Sequence, residues 1–193
     1  MIEVFAIVGK SGAGKDYLLR KVVSMEPTIF NEIISCTTRP KRENETDGVN
    51  YHFISTDDFI YKKNHGEMLE VSYFRDWWYG TSLDSLIKDK INIGVFNPTG
   101  IISLSKNSNI NLTVFYLDTE DKERLMRQLT RETNPDTDEI VRRYITDERD
   151  FLEFQFAEGE SNYYLNNDTV DELVDNLALI IDCGRRQLKD KSH

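Results

Sequence analysis

The sequence predicts an α/β fold, a parallel sheet flanked by helices, on three observations. A nearly continuous apolar run (Ile2, Val4, Phe5, Ala6, Ile7, Val8) opens the chain. A glycine-rich turn follows, and then a helical pattern of Tyr17, Leu18, Leu19, Val22 and Val23. From there strand-like and helix-like segments alternate along most of the chain. A strand covered by helices on both faces reads as unbroken apolar sequence, and such alternation is the pattern of a parallel sheet.

The elements follow in order. Residues 2–8 are the first strand and residues 15–24 a helix that must end before Pro27. Residues 29–35 suggest a second strand. Residues 37–50 are polar and turn-rich, and residues 51–54 form a short strand. Ser55 or Thr56 can cap a helix whose first turn carries Asp57 and Asp58. Residues 68–74 read as a strand, and Thr81-Ser82-Leu83-Asp84 as the opening of another helix. Residues 91–96 and 112–117 are apolar strands of the main sheet. Residues 121–131 form a charged helix, broken at 133–137 and resumed over 138–150. Residues 163–165 are a last strand and 170–188 a last helix. Residues 35–83 interrupt the alternation and read as an insertion near the C-terminal strand ends, where open α/β sheets bind ligands.

A chain of 193 residues is long enough for one domain with a sizeable core. Its formal net charge of −10 argues against a general nucleic-acid surface, which needs a basic face. A local cluster of Arg and Lys can still hold a small anion. No apolar run reaches membrane-spanning length, and Met1 leads straight into the first strand without a signal-peptide pattern. These points predict a cytoplasmic protein with no membrane partner. Cys36 and Cys183 have no metal-site spacing and are expected reduced. His52, His65 and His193 lie far apart.

The segment Gly9-Lys10-Ser11-Gly12-Ala13-Gly14-Lys15-Asp16 fits a phosphate-binding loop, G-x-x-x-x-G-K, in the strand–loop–helix setting that the motif requires. Glycines let the loop curl so that backbone N–H groups converge on phosphate oxygens. The following helix N-terminus and Lys15 add positive charge. The position after the lysine ordinarily holds Ser or Thr for Mg²⁺; here it is Asp16.

The insertion carries Ser35-Cys36-Thr37-Thr38-Arg39-Pro40-Lys41-Arg42, then Asp47-Gly48-Val49-Asn50-Tyr51-His52-Phe53-Ile54-Ser55, Gly66-Glu67-Met68-Leu69-Glu70 and Tyr79-Gly80-Thr81-Ser82. With the phosphate loop before them, these segments resemble guanylate kinases and the wider P-loop nucleoside monophosphate kinase group. The resemblance implies a P-loop kinase core (1–34, 84–123 and 145–193), an inserted acceptor-binding region (35–83) and a helical lid (124–144). It implies ATP-dependent phosphoryl transfer to a nucleoside monophosphate, most simply GMP or dGMP, with Mg²⁺ accompanying ATP. By the same resemblance Gly9, Ser11, Gly12, Ala13, Gly14, Lys15 and Asp16 would hold ATP phosphates, and Asn166 would lie beside the donor adenine. Arg39, Arg42, Tyr51 and Tyr79 would hold the acceptor phosphate, and Ser35, Glu70, Thr81 and Asn97 would meet its base. Lys15, Arg131 and Arg143 would be catalytic, with Arg127 an alternative to Arg131 and Arg142 adjacent to Arg143.

Two departures stand out. The family's acidic strand-end motif is replaced by Val95-Phe96-Asn97-Pro98-Thr99-Gly100, and Asp16 replaces a hydroxyl. Together they suggest that a metal-shell carboxylate has moved from the strand end into the loop. The other reading of Asp16 is a first-turn residue that complements the helix dipole. Asn97, which keeps polarity but loses charge, leaves room for a different acceptor, a deoxynucleotide or a phosphorylated sugar. A non-catalytic binding module is the third possibility, against which the intact Gly9, Gly14 and Lys15 argue.

Overall fold

A computed structural model describes residues 1–41, 45–74, 76–131, 133–152 and 162–190. A five-stranded parallel sheet forms its centre. The strands are β1 (Ile2–Val8), β2 (Phe30–Glu32), β7 (Ile91–Val95), β8 (Ile110–Asp118) and β9 (Asn162–Asn166), in the spatial order β2-β7-β1-β8-β9. A second, four-stranded sheet is built from β3 (Cys36–Thr37), β4 (His52–Phe53), β5 (Met68–Phe74) and β6 (Trp77–Ser82), in the order β4-β3-β6-β5. All of its strands lie in the stretch read as an insertion.

Residues of β1 point alternately to two buried faces. Phe5 and Ile7 join Leu18, Leu19 and Val22 of α1 (Lys15–Met25) and Ile180 and Ile181 of α6 (Val170–Asp190). Val4, Ala6 and Val8 join Ile101 and Leu104 of α3 (Pro98–Ser105) and Leu69 of β5. Both faces being covered explains why the strand reads as nearly continuous apolar sequence, broken only at Glu3. Leu69 reaching the second cluster fixes the inserted sheet against α3, and so fixes its site residues relative to the phosphate loop.

The remaining helices are α2 (Thr56–Asn64), α4 (Asp121–Thr130) and α5 (Thr137–Leu152). Ser55 caps α2, accepting from the Asp58 N–H at 3.0 Å. Two expectations need correction. The helix expected to open at Thr81 is instead the end of β6, followed by one 3-10 turn at Leu83–Ser85; the aromatic run Trp77-Trp78-Tyr79 pairs with β5 and carries the strand through Ser82. The second strand is three residues long rather than seven: its parallel register on β7 runs from Phe30 to Glu32, with one backbone bond each at Ile29 and Ile33, and the chain leaves the sheet after Ile33. Helix α3 was not foreseen. Its start has a clear signature, with Asn97 at the cap accepting from Gly100 N–H at 2.7 Å and Pro98 in the first turn.

Candidate active site

The phosphate loop connects β1 to α1, and its shape depends on glycine. Gly12 has φ +82°, and a Cβ there would stand 2.4 Å from the Arg124 carbonyl oxygen. Gly14 caps α1 at φ +94°, where a Cβ would lie 2.8 Å from Asn167 Nδ2. A side chain at either place meets both a left-handed backbone and a close neighbour. Beneath the loop the Ala13 carbonyl accepts from Asn167 Nδ2 at 2.8 Å. Half-buried Lys15 reaches back along the loop and donates to the Lys10 carbonyl at 3.0 Å. Burial lowers its pKa, opposed by the negative charges of Asp16 and Asp147. Exposed Asp16 follows it in the first turn of α1.

Three neighbouring cavities lie around this loop, and Ser11 borders each. The first, about 310 Å³, is lined by Gly9, Lys15, Ser35, Tyr51, Glu70, Tyr79, Val95 and Asn97 among others. The second, about 520 Å³, brings together Arg39, Tyr51, Tyr79, Asn97, Arg131 and Arg143. The third, about 340 Å³, runs along Gly12, Gly14, Lys15 and Asp16 to Arg127, Arg131 and Arg143. Thus the inserted sheet, the phosphate loop and the α4–α5 hairpin converge from three sides.

On the inserted sheet, Glu70 and Thr81 are cross-strand partners beside a bulge between Met68 and Glu70. Thr81 is fully buried, and Ser35 Oγ stands 3.3 Å from its hydroxyl. Glu70 is nearly buried. Desolvation pushes its pKa up to about 7, with the Thr81 hydrogen bond pulling the other way. Arg39 donates to Glu45 at 2.6 Å and lies over the rings of Tyr51 and Phe53. Burial raises the Tyr51 phenol, keeping it a proton donor. Tyr79 packs edge-on against Tyr51 at 6.0 Å. Arg42 lies outside the described residues.

The hairpin supplies the cations. Arg131 caps the end of α4, and the adjacent Arg142 and Arg143 both donate to Glu139 on α5. Asn166 ends β9 with its side chain exposed. The next residue, Asn167, is the one buried under the loop. Asn97 lines the first two cavities with its oxygen committed to the α3 cap. The sequence reading missed Arg124. It is 1% exposed and bonds the Ser11 carbonyl, Asp121 and Glu148. It sits on a helix with other charged residues, and charge pattern alone does not separate a buried arginine from a solvated one.

A phosphate loop at the end of β1, a parallel sheet and an arginine-bearing hairpin facing an inserted sheet define a P-loop phosphotransferase architecture. The profile of the family described as Guanylate kinase matches residues 2–183, and the chain belongs to that family. A guanylate kinase of Thermotoga maritima is 29% identical over 192 residues, covering 96% of this chain and 89% of its own. One of Helicobacter hepaticus is 33% identical over 146 residues, covering 74% and 72%. The crystal structure of guanylate kinase from Anaplasma phagocytophilum superposes with a TM-score of 0.62 at 16% identity, covering 97% of this chain and 87% of that one, and shares the fold.

Proposed function

We propose that this protein transfers the γ-phosphoryl group of ATP to a guanine nucleoside monophosphate, GMP or dGMP. The observation that carries the reading is the buried Glu70, which accepts from Thr81 as Thr81 in turn meets Ser35, with Glu70, Ser35 and Lys15 lining one cavity. An ionised carboxylate accepts from guanine N1–H and the exocyclic amine; adenine presents a bare acceptor at N1 and is repelled. The domain roles follow: residues 1–34, 84–123 and 145–193 as core, 35–83 as acceptor region, 124–144 as lid.

In this reading the acceptor phosphate lies between Arg39, Tyr51 and Tyr79, with Arg42 assigned from sequence alone. The planar guanidinium and the phenols suit phosphate oxygens. Lys15, Arg131 and Arg143 stabilise charge on the transferring group, so that positioning and neutralisation supply the rate, without a covalent intermediate. Mg²⁺ usually takes one or two carboxylates together with phosphates, and the exposed carboxylate of Asp16 beside Lys15 fits that need. When bound, the ion would neutralise donor phosphate charge. No helix among the described residues is long and apolar enough to cross a membrane; action in the cytoplasm on small nucleotides belongs to the same proposal.

Asn97 favours a second reading. Its oxygen accepts from Gly100 N–H and its amide nitrogen can only donate, so the residue brings a neutral donor-bearing amide to the cavity where a carboxylate would bring acceptors alone. That suits an acceptor without a 2-amino group, or a phosphorylated sugar. Turnover with Mg·ATP against GMP, dGMP, IMP, AMP and ribose phosphates tests both. A preference for GMP or dGMP supports the first reading, preference for another acceptor the second, and no turnover with any of them rejects both.

A further inference from the structure

Helix α5 holds the phosphate loop with two consecutive carboxylates. Asp147 Oδ2 accepts from the Ser11 backbone N–H at 2.6 Å, and Glu148 Oε1 accepts from Lys10 Nζ at 2.6 Å. Arg124 reinforces the contact from below. Its Nη1 stands 3.7 Å from Asp147, its Nη2 3.3 Å from Glu148, and its Nη1 also donates to the Ser11 carbonyl. Asp147 is among the charges that act on Lys15. It borders the cavities that contain Lys15 and Arg143. A side-chain carboxylate thus sits among a loop N–H, a lysine and an arginine, the donor set that a nucleotide phosphate requires.

One N–H cannot serve two anions at once. A phosphate oxygen that takes the Ser11 amide must evict Asp147, and the like charges of the two repel. Evicting Asp147 also removes one of the two carboxylate contacts by which α5 holds the loop, leaving Glu148 on Lys10.

We propose that Asp147 is an internal phosphate mimic that competes with the donor nucleotide for the phosphate loop, so that nucleotide entry breaks the Asp147 contact between α5 and the loop. This rests on the reading of the loop as the donor phosphate site. Competition lowers apparent affinity by the fraction of molecules in which the loop is taken. Asp150 provides a control. It lines the same two cavities on the same helix, feels the charge of Asp147, and carries the same formal charge.

Calorimetric titration with inorganic tripolyphosphate, without metal, tests the idea in the wild-type chain, Asp147→Ala, Asp147→Asn and Asp150→Ala. The expected result is tighter binding in both Asp147 variants, by about threefold or more, and a change under about twofold in Asp150→Ala. Hydrogen exchange supplies a second readout independent of affinity. Without tripolyphosphate, the Ser11 amide should exchange faster in Asp147→Ala than in wild type, and tripolyphosphate should restore its protection. Wild-type binding with no gain in the Asp147 variants, an equal gain in Asp150→Ala, or unchanged Ser11 exchange overturns the mimic while leaving the donor site standing. Absence of binding in every protein overturns both.

Discussion

Thr81 donates its hydroxyl proton to Glu70 Oε1 at 3.0 Å across the β5–β6 pair. With that single proton spent on Glu70, the Thr81 oxygen can only accept from Ser35 Oγ. The three side chains therefore form a directed chain that ends on a carboxylate. The Thr81 bond favours the ionised form, but burial outweighs it, leaving the pKa at about 7.

Glu70 should make acceptor binding pH-dependent. Guanine needs the ionised carboxylate, so affinity is full above pH 7 and falls as pH drops through it. At pH 6 about one molecule in ten is ionised, and the apparent Kd for GMP should be about tenfold higher than at pH 8. Glu70→Gln should bind GMP weakly and lose this dependence. A profile in Glu70→Gln that still bends near pH 7 would assign the titration to another group.

The same shift has a stability consequence of definite sign. The folded protein keeps the Glu70 proton up to about pH 7, whereas the unfolded chain loses it near the ordinary value of 4.5. Stability from this group is therefore complete below 4.5 and lost as pH rises through 7. Glu70→Gln escapes the loss. Its Tm relative to wild type should climb between pH 4.5 and 7 and level off above, as scanning calorimetry can measure; a difference independent of pH would contradict the shift.

Lys15→Ala should leave the fold intact and lower kcat by about a hundredfold or more, the scale for removing one charge-stabilising donor. Among the described residues its amine bonds a loop carbonyl alone, and its side chain belongs to no core cluster. Circular dichroism and steady-state kinetics on the variant separate the two effects. Near-wild-type turnover would remove the loop from the catalytic reading.

Asp16 is tested by its metal dependence. As a metal-shell carboxylate, its change to Ala should raise the Mg²⁺ concentration for half-maximal activity, with partial recovery at high Mg²⁺ and a milder effect for Asp16→Ser. As a helix-dipole residue, the same change should leave that midpoint alone and cost about 0.3–1 kcal/mol of stability. Titrating activity against Mg²⁺ beside thermal melts decides between them.

Arg124→Ala should destabilise the protein by about 3 kcal/mol, the lower part of the range for breaking a buried ion pair, because its two closest partners, Asp121 and Glu148, are half-exposed and regain water, while the more buried Asp147 stands farther off at 3.7 Å. Urea unfolding measures this. A loss below 1 kcal/mol would mean that the buried guanidinium contributes little beyond its own desolvation.

The sequence alone determined the parallel core, the phosphate-loop motif and the residue types of the wall proposed to hold the acceptor. These are local patterns: an apolar run, glycines at fixed spacing before a lysine, and short motifs in an unbroken register. It missed β6 and α3 because local signals competed. Thr81-Ser82-Leu83-Asp84 resembles a helix cap until β5 offers a pairing edge, and the Asn97-Pro98 start of α3 lies inside a segment read for its missing carboxylates. Only the tertiary structure decided which arginine is buried, that Asn167 rather than Asn166 lies under the loop, and that Asp147 reaches the Ser11 amide. Those facts join residues more than a hundred positions apart, or depend on which face of a charged helix meets the protein. Neither spacing nor composition encodes that; it follows from how α4, α5 and the loop pack together.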